Sequence, residues 1–306
     1  DIMANLVMRS TNATSLEKAL NKIIDDKERP KKMYYNKWLK ESSGSGGQID
    51  DLEVYGPGLG YEVPEGTDIP MAEMGEHTRS RYIPVKYALG LQITEEALED
   101  NKYPQVLRLA QRNKRAIMRT IEVVSHDLLN RMFSSSYPLA DGLALGSASH
   151  TLGNGSTFSN YMAAPQLSPS ITALERALSD ITAMVGHDGV IEGYNGKRIV
   201  CPHGQRWAWA QILKSGQSPE TYQGINAVSA SQTGLESEAV ATPFWNASTT
   251  NWCIQTDADN PATIYFWRRP RSRAWTEDGP QIMRYTADTR FVVGCSDARA
   301  FYCVEA

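Results

Sequence analysis

An acidic segment broken by Gly and Pro runs directly into a long basic helical pattern, and this pairing limits what the chain can fold into more than any other feature. Ile49 to Glu76 holds eight acids (Asp50, Asp51, Glu53, Glu62, Glu65, Asp68, Glu73, Glu76) and no Lys or Arg. Asn101 to Ile121 holds six bases (Lys102, Arg108, Arg112, Lys114, Arg115, Arg119) and no acid. The acidic stretch has too much Gly and Pro for a helix and too many aromatics for a disordered tail. A projecting hairpin that docks on another copy is the arrangement these residues favour, with Tyr55, Leu59 and Tyr61 beside the acids as contact residues. This pattern points to a self-assembling structural protein rather than an enzyme.

At 306 residues, 41% hydrophobic and 22% charged, the chain can bury a substantial core and has neither a disordered nor a membrane composition. Its net charge of −4 gives no general attraction to nucleic acid or anionic lipid, so any such contact must be local. Cys201, Cys253, Cys295 and Cys303 show no CxxC pair and no His at zinc spacing, which points to free thiols and no metal site. No apolar run reaches the ~20 residues of a membrane span and no leader pattern opens the chain, so the cytoplasm is the expected compartment. A start at Asp1 is compatible with removal of an upstream piece in maturation.

Along the chain, Leu16, Leu20, Ile23 and Ile24 mark an amphipathic stripe capped by Ser15, and Ser42 to Gly47 reads as a flexible joint. Two extended runs follow, Leu52 to Tyr61 and Arg81 to Ile93, read as a ribbon that must lie on something because two strands alone are not stable in water. Thr94 caps a short helix, and Pro104 opens a longer one. Leu107, Ala110, Ile117, Ile121, Val124, Leu128 and Met132 keep one face of it, giving a rod about 45 Å long. Asp141 to Asn160 is hairpin-like. Helices are expected over 170–185 and 203–213, and strands over 198–201, 239–245, 252–256, 263–268, 283–285, 290–293 and 300–304. A helix-rich middle and strand-rich end indicate an α+β fold.

Catalytic signatures are missing. The five histidines are dispersed, no HExxH occurs, and no Gly-x-Ser-x-Gly elbow supports a serine hydrolase, the enzymatic alternative. Gly196-Lys197 fails as a phosphate loop because Arg198 stands where Ser or Thr is required. Arg268, Arg269, Arg271 and Arg273, flanked by Trp267 and Trp275, form a basic cluster that suits a subunit contact, a solvated turn or a phosphate contact. No cofactor is expected.

The order of parts resembles the major capsid proteins of tailed bacteriophages with the Hong Kong 97-type fold, nearest to Mu-like major head subunits. The stretches that carry the resemblance are Leu59-Gly60-Tyr61-Glu62-Val63-Pro64-Glu65-Gly66, Lys86 to Thr94 with Ala97-Leu98-Glu99-Asp100, the 141–160 patch, and Gly279 through Val304. The resemblance implies an N-terminal arm (1–48), an extended loop (49–93), a peripheral domain with its spine helix (94–194), an axial domain (195–257) and strands returning to the peripheral domain (258–306). It implies docking of the loop on the neighbour's peripheral domain, where the bases of 101–121 lie. It also implies an icosahedral shell of pentamers and hexamers around double-stranded DNA held by confinement. Scaffold and portal partners, and a cement or decoration protein, belong to the same expectation, with assembly in the host cytoplasm and no membrane partner. An encapsulin-like compartment around protein cargo is the alternative shell.

Overall fold

The computed structural model describes residues 33–56, 58–69, 71, 74–94, 103–162, 168–215, 226–277 and 282–305. In chain order the elements are β1 (Lys40–Ser43), β2 (Ile49–Tyr55), β3 (Gly75–Tyr82), β4 (Val85–Thr94), α1 (Tyr103–Asn130), β5 (His150–Thr151), β6 (Thr157–Phe158), β7 (Tyr161–Met162), α2 (Ile171–Thr182), β8 (Gly196–Pro202), α3 (Arg206–Lys214), α4 (Ala230–Thr233), β9 (Val240–Thr242), β10 (Trp252–Thr256), β11 (Thr263–Glu277), β12 (Ile282–Gly294) and β13 (Phe301–Val304). The stripe at 16–24 and the short helix after Thr94 lie outside the described residues.

Helix α1 separates two sheets, and its sequence explains why. Ala110, Asn113, Ile117, Ile121, Ser125 and Leu129 are buried at steps of three and four, the signature of one helix face packed on a core. Asn113 Oδ1 and Ser125 Oγ on that face are buried without a hydrogen-bond partner among the described residues, but the other polar groups of the buried side are tied in. Asn113 Nδ2 donates to the Leu89 carbonyl at 3.1 Å, and the Glu122 carboxylate accepts the backbone N–H groups of Tyr34 and Tyr35 at 2.7 and 3.2 Å. His126 donates from Nδ1 to the Glu122 carbonyl and accepts at Nε2 from the Thr242 hydroxyl. Burial holds this imidazole neutral, its pKa pushed down to about 4.

The first sheet has the order β1-β11-β12-β4, with β1 parallel to β11 and the other pairs antiparallel. On β12, Met283, Tyr285, Ala287, Thr289 and Phe291 alternate inward to the α1 side. The opposite face is open along β4, with Lys86, Ala88, Gly90 and Gln92 exposed, while Tyr82 of β3 lies over Tyr265 and Gly294 on β11 and β12. The second sheet has the order β7-β13-β10-β8-β9 and is buried on both sides. Ile199, Cys201, Trp252, Ile254, Tyr302 and Val304 face α2 and α3. Val200, Cys253, Phe301 and Cys303, the residues between them, pack toward α1 with Tyr35, Trp38 and Leu39. Asn160 ties the sheets' flank together: its buried Nδ2 reaches the carbonyls of Leu145, Ala298 and Phe301 at 2.6–3.0 Å, while Oδ1 accepts the Ser147 N–H at 3.0 Å.

Several expectations change. The ribbon is β2 with β3, not the two runs 52–61 and 81–93: β4 leaves it at Pro84 and pairs along its whole length with β12. The joint at 42–47 is partly strand, since Ser42 and Ser43 pair with Tyr265 and Phe266 and Gly44 lies under the Trp267 ring. Arg268 to Arg273 is no turn. It lies in mid-strand where the β11–β12 register shifts on either side of Arg268, and a bulge of this kind is where Pro270 can sit without breaking the ladder. Residues 283–285 and 290–293 are one strand. The 258–306 segment serves both sheets, β11 and β12 the first and β13 the second.

Candidate assembly surfaces

The root of the ribbon is fixed to its own chain, and its tip is not. In β2 the side chains alternate, Ile49, Asp51, Glu53 and Tyr55 half-buried and Asp50, Leu52 and Val54 exposed. Asp50 is held within the ribbon by Arg79 at 3.2 Å and Arg81 at 2.9 Å, and the Arg81 hydrogen bond lowers its pKa. The Tyr55 ring lies against Gly75 and Gly153, where a Cβ would stand 2.2 Å from it, so both positions need glycine. Asp188 accepts the Gly56 N–H and His77 contacts the Thr151 carbonyl at 2.9 Å. Beyond this point Leu59, Tyr61, Glu62, Val63, Glu65, Asp68, Ile69 and Met71 are exposed, Leu59 at 70% and Met71 at 91%.

Glu53, a candidate contact residue, enters a charge cluster under the ribbon within its own chain. His187 Nδ1 approaches Glu53 Oε1 at 2.5 Å and its Nε2 approaches Asp297 Oδ2 at 3.4 Å. Arg299, 1% exposed, places Nη1 3.0 Å from Asp297 and 3.4 Å from Glu53, donates from Nε to the Val185 carbonyl and lies over the Phe158 ring. Hydrogen bonds to Asp297 and Glu53 push the His187 pKa up to about 9. Burial raises the Glu53 pKa, but hydrogen bonds from His187 and Thr78 outweigh it and hold the carboxyl at about 2. Two acids and two cations therefore balance. Glu53, His187 and Asp297 are close enough together to ligate a metal, but the Arg299 guanidinium already supplies the cation their carboxylates need.

Bases collect on two opposite faces of the α1 layer. On α1, Arg108, Arg112, Arg115 and Arg119 are exposed and fall within an arc of about 60° opposite Ala110 and Ile117. Lys114 is half-buried with a partner of its own, and Lys102 lies outside the described residues. On the open face of the first sheet, Arg268 and Arg271 bind Asp288 at 2.7 and 3.0 Å, and these two guanidinium groups lower the Asp288 pKa against its burial. Arg269 turns to the other side of the strand, where it pairs with Glu41 at 3.0 Å and lies over the Phe266 ring, and Arg273 is exposed. Cross-strand register adds a row that the sequence does not announce: Arg268 opposite Arg290, and Arg290 opposite Lys86. Within the chain, no ion pair among the described residues joins the acids of 50–76 to Arg108, Arg112, Arg115 or Arg119.

No helix among the described residues is long and apolar enough to cross a membrane. No curated protein matches the chain in sequence. Solved structures share its fold at very low identity. A structure from Microbacterium phage Oxtober96 has a TM-score of 0.52 at 9% identity, covering 91% of this chain and 92% of that one. A phage-related protein from Bordetella bronchiseptica has a TM-score of 0.52 at 13% identity, covering 95% and 96%. The holo-SrpI encapsulin complex from Synechococcus elongatus has a TM-score of 0.51 at 9% identity, covering 92% and 90%. The fold is thus the Hong Kong 97-type capsid fold expected from the resemblance. In sequence, the model of the phage capsid protein family matches residues 78–304, well over half the chain. The chain therefore belongs to the phage capsid protein family, as a major capsid subunit that assembles with copies of itself into the virion shell.

Proposed function

We propose that this subunit forms a closed icosahedral shell of pentamers and hexamers around double-stranded DNA, with no enzymatic turnover, and that the ribbon tip is its main reach to a neighbour. The observation that carries this reading is the run Leu59, Tyr61, Val63, Ile69 and Met71, exposed at the end of a ribbon whose root is locked to its own body. An exposed apolar run of this kind marks an interaction site. In this reading Asp50 and Glu53 hold the ribbon together, while Leu59, Tyr61, Glu62, Glu65 and Asp68 meet the neighbouring copy. Affinity comes from apolar area at about 25 cal/mol per Å². The charges contribute orientation, since an exposed ion pair is worth only ~0–1 kcal/mol. Many such contacts around closed symmetry hold the shell.

The described layers suggest a division of labour: α1 with the sheet β1-β11-β12-β4 as the peripheral unit, and the five-stranded sheet with α2 and α3 as the axial unit. Scaffold and portal proteins, a cement or decoration protein, and assembly in the bacterial cytoplasm complete the proposal. Negative-stain electron microscopy after size exclusion tests it. Closed shells or rings of five and six are expected; a subunit that stays monomeric even with its scaffold and portal refutes it. The encapsulin likeness supports a second reading, a shell around protein cargo, which a protein-like 260/280 nm absorbance ratio of purified particles would favour.

A further inference from the structure

We infer that the arginine stripe of α1 (Arg108, Arg112, Arg115, Arg119) is the surface that touches the phosphodiester backbone of the packaged nucleic acid, and that the neighbour's acidic ribbon tip lies on the opposite side of the layer. This rests on the capsid reading. The Tyr82 ring, at the end of β3, stacks on Tyr265 with centroids 5.7 Å apart and covers Gly294, where a Cβ would lie 2.0 Å from it. Tyr265 pairs with Val292, and both alternate with residues of the α1 core, Ile264 and Phe266 on β11 and Phe291 on β12. The ribbon therefore springs from the open side of the first sheet, away from α1.

Copies in a closed wall are related by rotations about axes that pass through it, so every copy keeps the same side outward. A ribbon leaving one copy on its open-sheet side meets its neighbour on that side, where Arg273, Arg290 and Lys86 lack acids of their own among the described residues. The α1 stripe is left on the other side of the wall. It has no ion pair among the described residues and no acid before Glu122, and it sets four guanidinium groups along about 16 Å of helix. Among the described residues, no acid of the ribbon pairs with it. A duplex carries one charge per ~1.7 Å of its axis and needs only such a line of cations to neutralise it. With a chain charge of −4, attraction at this stripe is local rather than general.

The test uses the full-length chain before assembly and a labelled duplex of random sequence, read by fluorescence anisotropy across a salt series. Four phosphate contacts weaken binding about 150-fold between about 50 and 200 mM salt; a variant with Arg112→Gln, Arg115→Gln and Arg119→Gln, left with one contact, weakens roughly three- to four-fold and binds less tightly throughout. A Lys86→Gln/Arg290→Gln variant keeps the wild-type salt slope and loses shell formation, scored by electron microscopy on the same preparations. Equal DNA binding by the triple variant, or none by the wild type at low salt, overturns the inference. So does a triple variant that binds DNA normally but cannot assemble, because α1 then faces a protein. Shell formation by the wild type is scored separately, so failure here does not depend on the capsid reading. Unchanged thermal unfolding shows that these substitutions leave the fold intact.

Discussion

Raising the pH through 9 should release the ribbon from the body of the subunit. His187 bridges Glu53 of β2 and Asp297, with Thr78 of β3 on the second Glu53 oxygen and Arg299 beneath. Tyr194, its own pKa raised by burial and by Glu192, faces the same charges. The His187 pKa is raised from 6.5 to about 9. A group whose pKa is raised by folding stabilises fully below its unfolded value, and that stabilisation is lost as pH climbs through the folded one. At 1.36 kcal/mol per pH unit the raised pKa is worth about 3 kcal/mol, an on the order of 100-fold change in the opening equilibrium. Glu53 reports the same contact from the acid side, where it fails as pH falls toward about 2, so the two shifts are not added. Millisecond hydrogen exchange read by mass spectrometry, corrected for the intrinsic pH dependence of amides, measures this at residues 49–55 and 75–82. Wild-type protection should fall on the order of 100-fold between about pH 6.5 and 9.5. His187→Gln should be weakly protected at both. A flat wild-type profile, or wild-type protection in the variant at neutral pH, refutes the argument.

Three further outcomes are expected. Asn160→Ala leaves three buried carbonyls and the Ser147 N–H without their partner and should cost about 3 kcal/mol in denaturant unfolding, whereas a solvated Asn would cost almost nothing. Gly153→Ala puts a methyl group into the Tyr55 ring and should expose the ribbon to limited proteolysis at sites between 49 and 82; wild-type resistance would show that Tyr55 moves aside freely. The four cysteines are all buried, and burial pushes the Cys201 thiol up to about 12 and the others higher than usual, so a thiol reagent at mild alkaline pH should label none in the native chain and all four after denaturation.

Local patterns made α1, α2, α3, β8 and β10 legible, because each is governed by a period of 3.6 or 2 within a few turns or residues. What escaped was set by contacts across long stretches of chain. Nothing in Lys86 to Ile93 announces β12 as its partner, so from sequence alone the strand reads as part of the ribbon. Residues 283–293 read as two strands because Asp288 interrupts the apolar alternation; the fold tolerates it there because Arg268 and Arg271 neutralise it. Pro270 made the arginine cluster look like a turn, and only the register shifts of β11 show how a strand carries it. The cluster beneath the ribbon draws Glu53, His187, Asp297 and Arg299 from distant positions with no shared motif. The acidic tip and basic stripe were both visible, but the side of the layer each belongs to was not, because it depends on where Tyr82 stacks.

The pairings of β1 with β11 and β4 with β12 carry a consequence for synthesis. Lys40 pairs with Thr263, and Ile93 pairs with Met283. Until the ribosome has delivered residues 263–294, the strands at 40–43 and 85–94 have no partner, and their backbone groups are open edges. Loop closure over such separations is slow, and chains waiting on it are prone to pair with one another. The subunit must therefore pass through a period in which strand pairing between nascent chains competes with its own folding. The yield of assembly-competent protein should depend on expression rate and chaperone supply more steeply than the stability of the finished fold would suggest.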